Sequence, residues 1–108
     1  MTLTDILKDF YKRTGRVFPN FDRSLQFADT EKAEALEIYL AKFPEFKRNH
    51  PEDKPKWLPE KLEMELGQMI QMIQVAGMAE GVDPLAGLIR KLSRQTDVKY
   101  ILDGIGYE

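Results

Sequence analysis

Between Leu62 and Ala79 the chain reads LEMELGQMIQMIQVAGMA, a run without proline that is long enough for about five helical turns. Advancing about 100° per residue from Glu65 places Leu66, Met69, Ile70, Ile73, Ala76 and Gly77 between roughly 20° and 140°. That is one apolar stripe, with Glu65, Gln68 and Met72 along its edge. Such a helix must bury its stripe against another element. A second segment, Phe27 to Leu40, supplies a candidate. With Glu31 at zero, Phe27, Ala28, Ala35 and Ile38 lie within about 60° on either side. Glu31 therefore sits in the middle of the face expected to be buried, with Glu34 three residues on. Two helices each carry acidic or amide oxygens three residues apart on faces that should meet.

The rest of the chain supports the same architecture. Thr2 to Arg13 predicts a short helix, capped by Thr2 or Thr4, with Leu3, Ile6, Leu7 and Phe10 on one stripe and Gly15 as its stop. Arg16 to Ser24 predicts a packed loop, with Asp22 or Ser24 capping a second helix over about Leu25 to Phe43. Residues 44–59 hold four of the six prolines and form the connection. Phe46 and Trp57 are expected to tack down its ends. Pro59 suits the first position of the third helix, which runs to about Glu80 and stops at Gly81. Asp83 and Pro84 announce a fourth helix, with Leu85, Leu88, Ile89 and Leu92 on one face. Residues 96–108 are a tail with only weak strand alternation at Val98 to Leu102. The expected fold is all-α, a bundle of four main helices in a single domain spanning 1–108.

Composition narrows the function. The chain has 108 residues, 43% hydrophobic and 31% charged, the mixture of one small globular domain. A core of this size is modest, so pairing with a second copy would bury useful surface. The formal net charge is −2, which argues against nucleic-acid and anionic-membrane partners. Cysteine is absent, which removes disulfides, thiolate metal sites and cysteine nucleophiles. No apolar run reaches the ~18 residues of a membrane span, and MTLTDILKDF does not read as a signal peptide. A cytoplasmic setting is expected.

Carboxylates facing inward from two helices are costly unless they are paired or bind a cation. Oxygen donors without His or Cys suit Mg²⁺, with Mn²⁺ as a substitute. Magnesium shares its shell with phosphate oxygens, so acids between helices suit a nucleotide site. Arg90, Lys91 and Arg94 could neutralise phosphates, or could simply complement a helix C-terminus. Trp57 is open to two readings, a base-stacking ring or a pin for the third helix. Phe18, Phe21 and Arg23 could fold over a bound nucleotide. His50 reads as surface. Met64, Met69, Met72 and Met78 read as adaptable core or subunit interface.

Thr30 to Lys42 and Leu62 to Gln95 together resemble the MazG-like all-α nucleotide pyrophosphohydrolases over about the middle two-thirds of the chain. That family carries Glu-x-x-Glu on one helix and Glu-x-x-Asp on the next. Glu31 and Glu34 match the first pair, Glu65-Leu66-Gly67 the start of the second, GVDP (Gly81 to Pro84) the break that follows, and Lys91 the basic position. Gln68 stands where the family has aspartate, and Gln95 where it often has asparagine. The resemblance implies a Mg²⁺-dependent hydrolase that splits a nucleoside triphosphate into the monophosphate and pyrophosphate, working as a homodimer or a dimer of dimers. It implies Glu31, Glu34 and Glu65 as catalytic metal ligands, Gln68 as a neutral fourth, and Lys91 and Arg94 facing phosphates. The Gln68 departure keeps a second reading open, a non-catalytic relative that binds a nucleotide or a protein partner. A third is a plain helical interaction domain whose acids form salt bridges.

Overall fold

The computed structural model describes residues 1–43 and 57–94. They form four helices and, among themselves, no strand: α1 (Leu3–Thr14), α2 (Phe21–Leu40), α3 (Pro59–Ala79) and α4 (Pro84–Arg94). The all-α expectation holds. Phe46, His50, the proline-rich middle of the connection and the tail lie outside the described residues.

Helix α1 begins with a capping box. Thr2 Oγ1 accepts from the Asp5 backbone N–H, and the Asp5 carboxylate accepts from the Thr2 N–H. It ends on Gly15 in the left-handed region at φ 68°, where the Gly15 N–H donates to the Lys12 carbonyl and the Arg16 N–H to the Tyr11 carbonyl. This is a Schellman closure. Helix α2 starts four residues earlier than the sequence suggests, because Asn20 is the cap and accepts from the Arg23 N–H at 2.8 Å. Ser24, expected as a cap, is instead fully buried and bonds back to the Asn20 carbonyl at 2.7 Å. Pro59 opens α3 as expected.

Helices α2 and α3 pack as an antiparallel pair, the late residues of one beside the early residues of the other. The seam on α2 runs through Ser24, Ala28, Glu31, Ala35 and Ile38, alternating steps of four and three residues. On α3 the matching line is Leu62, Glu65, Met69, Met72 and Ala76. This is the spacing of two helices lying nearly along each other. Small side chains at Ser24, Ala28 and Ala35 let the backbones approach. Helix α1 closes one end, placing Leu7 and Tyr11 in a core with Ala28, Met72 and Val75.

The expected stripe on α3 is therefore rotated. Met72 and Ala76 are buried, whereas Leu66 (41%), Ile70 (54%) and Ile73 (41%) stay exposed. The reason is that α1 and α2 both pack on the Met72–Val75 side and leave the third side open. On α1, Ile6 is likewise exposed, and Phe27 of α2 is only partly covered. Helix α4 buries none of its residues, and Leu85, Leu88, Ile89 and Leu92 are all exposed.

The α3–α4 corner is closed by GVDP. Gly81 takes φ 73°, and the Val82 N–H donates to the Gly77 carbonyl at 2.9 Å. A β-carbon on Gly77 would collide with the Pro84 ring. Asp83 caps α4 by accepting from the Ala86 N–H at 3.2 Å.

Candidate metal centre

The seam positions Glu31 and Glu65 face each other across α2 and α3, and Glu34 stands one turn along from Glu31 on the rim. Each of the three offers a carboxylate oxygen, and these oxygens lie within 4.8 Å of one another. Glu31 and Glu65 are half-buried and Glu34 is exposed. Repulsion between carboxylates at ~4 Å costs roughly 1 kcal/mol per pair even with the full screening of water. The cluster shows that strain. The Glu34 carboxyl is pushed above its ordinary value, chiefly by its hydrogen bond with Glu65, then by lost hydration and the Glu65 charge. Glu65 is pushed up as well, chiefly by its hydrogen bond with Glu31 and then by lost hydration. Glu34 and Glu65 therefore hold a proton more tightly than isolated glutamates do.

Gln68, the position where the resemblance expects aspartate, completes the group. Its amide, in the orientation the carboxylates demand, donates from nitrogen to Glu31 Oε2 at 2.9 Å and to Glu65 Oε2 at 3.1 Å. These bonds bridge the two helices with a neutral donor. Rotating that amide by half a turn would present its carbonyl oxygen instead. The donor set is thus three carboxylates and one amide, all hard oxygen ligands, which suits Mg²⁺ or Mn²⁺. Glu37 is not one of the three clustered acids, but it lines a cavity with Glu34 and Glu65 and its charge adds to the upward push on Glu34.

Two cavities flank the carboxylates. One, of 400 Å³, is lined by Tyr11, Arg16, Pro19, Phe27, Glu31 and Met72. The other, of 380 Å³, is lined by Glu34, Glu37, Ile38, Lys61, Met64 and Glu65. The acids form a ridge between a largely apolar hollow and a charged one.

The remaining candidates fall elsewhere. Lys91 and Arg94 lie in the last turn of α4 and line neither cavity. Trp57 sits ahead of α3, with Lys42 Nζ 4.6 Å from its ring centre, and does not line either cavity. That arrangement ties the start of α3 to the end of α2. Arg23 lies over Phe27 at 4.4 Å and donates to Gln26 Oε1 at 3.2 Å, and it does not itself line the apolar cavity that Phe27 borders. Phe18 stacks on Tyr11 with ring centres 4.2 Å apart. Sequence reasoning did not single out Lys61, Arg16 or Tyr11. Only Lys61 left a trace, one helical turn before Glu65.

No known protein family, curated protein or solved structure matches the chain.

Proposed function

We propose that this chain is a MazG-like, Mg²⁺-dependent nucleoside triphosphate pyrophosphohydrolase. One observation carries the reading: Glu31, Glu34 and Glu65, the three acids that the resemblance picks out, offer oxygens within 4.8 Å of one another from two different helices. Glu31, Glu34 and Glu65 would hold the ion, with the Gln68 carbonyl as a neutral fourth ligand. Bound there, Mg²⁺ supplies charge neutralisation for the phosphate chain. The reaction adds one water across the α–β phosphoanhydride bond and yields the monophosphate and pyrophosphate. The Glu34 oxygen left free of the ion, on the exposed acid of the three, would take the proton of the attacking water. The apolar cavity beside Glu31 takes the nucleoside. The cavity beside Glu65 takes the far phosphates, where Lys61 supplies the cation. Lys91 and Arg94 reach phosphate only if assembly brings α4 of another copy to the site. A second copy would also cover the open apolar surface. Leu66, Ile70 and Ile73 share a helix face with Gly77, on which Pro84 packs, so the exposed faces of α3 and α4 adjoin. A homodimer or homotetramer fits this arrangement.

A second reading is favoured by one contact. The Gln68 amide already bridges Glu31 and Glu65, which lets the ridge persist without a cation. A non-catalytic nucleotide-binding relative would use it that way. The two separate on pyrophosphate release from a panel of nucleoside triphosphates, with Mg²⁺ and with Mn²⁺. Release that needs both metal and Glu65, and falls at least a hundredfold in Glu65→Ala, is expected (about tenfold to hundredfold is lost even when only a partner of a metal ligand is removed). No release from a folded, assembled sample would overturn the enzyme.

A further inference from the structure

We infer that Arg16 reads the base, and that it selects a base edge carrying two adjacent hydrogen-bond acceptors. This rests on the hydrolase reading for the placement of the nucleoside, but its own evidence lies in the apolar cavity. The walls there are Tyr11, Val17, Pro19, Phe27 and Met72, and only two lining residues carry charge, Arg16 and Glu31. A volume of 400 Å³ lies within the ~300–1,000 Å³ of small-molecule sites. Apolar walls with one polar reader suit a planar heterocycle. Glu31 belongs to the carboxylate ridge, which leaves Arg16 as the reader.

The backbone of Arg16 is fixed before any ligand arrives. Its backbone N–H closes the Schellman motif on Tyr11, a bond that exists because Gly15 turns the chain at φ 68°. Its guanidinium lies 5.7 Å from the Phe10 ring centre. The neighbouring Arg13 is engaged with Asp9 at 2.8 Å. Arg16 makes no ion pair with any described residue.

A guanidinium presents two parallel N–H donors and no acceptor. Guanine offers O6 and N7 side by side, and cytosine offers O2 and N3. Adenine places an amino donor beside N7, and uracil places an N–H between its carbonyls. The arginine therefore favours guanine or cytosine and disfavours adenine and uracil. Which of the two favoured bases enters is settled by the arms of the test.

That test compares kcat/KM for GTP, CTP, ATP and UTP in the wild type, Arg16→Ala and Arg16→Lys. The expected wild-type preference for GTP or CTP is about tenfold or more, the scale of one good bidentate pair. Arg16→Ala should collapse that ratio to about one, and Arg16→Lys should not restore it. Titration with GMP, CMP, AMP and UMP in EDTA reads the same preference without turnover or metal. A preference for adenine or uracil, a ratio that survives Arg16→Ala, or an equal loss for all four substrates would overturn the inference. Turnover without base preference would sink this inference and leave the hydrolase standing. Base-selective binding without turnover would do the reverse.

Discussion

Two glutamines on α3, six residues apart, occupy opposite kinds of polar environment. Gln74 is 2% exposed and has all its needs met. Its Nε2 donates to Asp83 Oδ1 at 2.7 Å and to Thr4 Oγ1 at 3.1 Å, and its Oε1 accepts from the Leu85 N–H at 3.2 Å. One amide thereby ties α1, α3 and the start of α4 together. Asp83 is held below its ordinary carboxylate value, first by Gln74 and then by the Ala86 N–H. Gln68 sits among acids that crowd one another, and there the carboxyls of Glu34 and Glu65 are pushed up. A polar group placed for stability ends with lowered acid pKa values and matched donors. A polar group placed for a ligand ends with too many acceptors and one makeshift donor. The α3–α4 corner is the first kind, and on the proposed reading the carboxylate ridge is the second.

The sharpest way to break this contrast is to exchange charge and amide at each place. Gln74→Glu is nearly isosteric, but it turns a donor nitrogen into an acceptor facing Asp83 and Thr4. Buried and opposed by a carboxylate, it should cost about 2–3 kcal/mol, close to a 10 °C fall in Tm. Glu65→Gln at the ridge should act in the opposite sense, holding or raising the Tm of the metal-free protein while abolishing its thermal response to Mg²⁺. Melting curves for both variants, with and without Mg²⁺, decide it. A Tm fall in Glu65→Gln comparable to that of Gln74→Glu would make the ridge a structural network like the corner.

A smaller change separates metal site from placeholder at Gln68 itself. Gln68→Asp removes the donor that bridges Glu31 and Glu65 and adds a fourth carboxylate. The metal-free protein should lose stability. The Mg²⁺ concentration giving half of the thermal shift should fall by about tenfold, within the scale of changes around metal ligands. Any pyrophosphate release should rise with it. A destabilised variant with an unchanged Mg²⁺ response would favour the bridging role that Gln68 plays in the non-catalytic reading.

Much of this was legible in the chain because it is governed by local rules. Thr2, Gly15, Pro59 and Asp83 act within one turn of their own backbone, so they announce helix ends wherever the helices pack. Glu31 was legible by phase, since a carboxylate on an apolar stripe has few places to point, while Glu34 beside it and Glu65 at the edge of its stripe were picked out with it by the resemblance. Asn20 was obscured by Pro19, which reads as a loop although it precedes the cap. Ser24 looked like the cap and turned out to be a small seam residue. The side of α3 that meets α2 was not legible. Leu66, Ile70 and Ile73 are as apolar as Met69 and Met72, and only the placement of α1 chooses between them. The apolar cavity depends on Arg16, Phe27 and Met72 from three separate stretches, which no spacing rule connects. Gln74 carried no signal, because its partners Thr4 and Asp83 meet it only in the folded corner.

The smallest effect, and the one that tests both regions in a single experiment, is the dependence of stability on pH. Glu34 and Glu65 are raised from an ordinary value of 4.5, so the folded protein binds protons more tightly there than the unfolded chain does. Stability then falls as pH rises from about 4.5 through the raised values, and it is recovered in full below 4.5. Asp83 and Asp5 are lowered from 3.8, with opposite consequence: their contribution is present above 3.8 and is lost as pH drops below it. In EDTA, Tm should therefore climb by a degree or two (on the order of the weak terms of exposed ion pairs) as pH is lowered from 7 toward 5, then fall below about 4. If the ridge holds Mg²⁺ as proposed, the ion competes with protons for the same carboxylates, so saturating Mg²⁺ should raise Tm at pH 7 and flatten the climb. Glu65→Gln should flatten it without metal. A Tm that declines steadily from neutral pH would mean that the acids are relaxed by solvent rather than crowded on the ridge, and a climb indifferent to Mg²⁺ would mean that the crowded acids hold no ion.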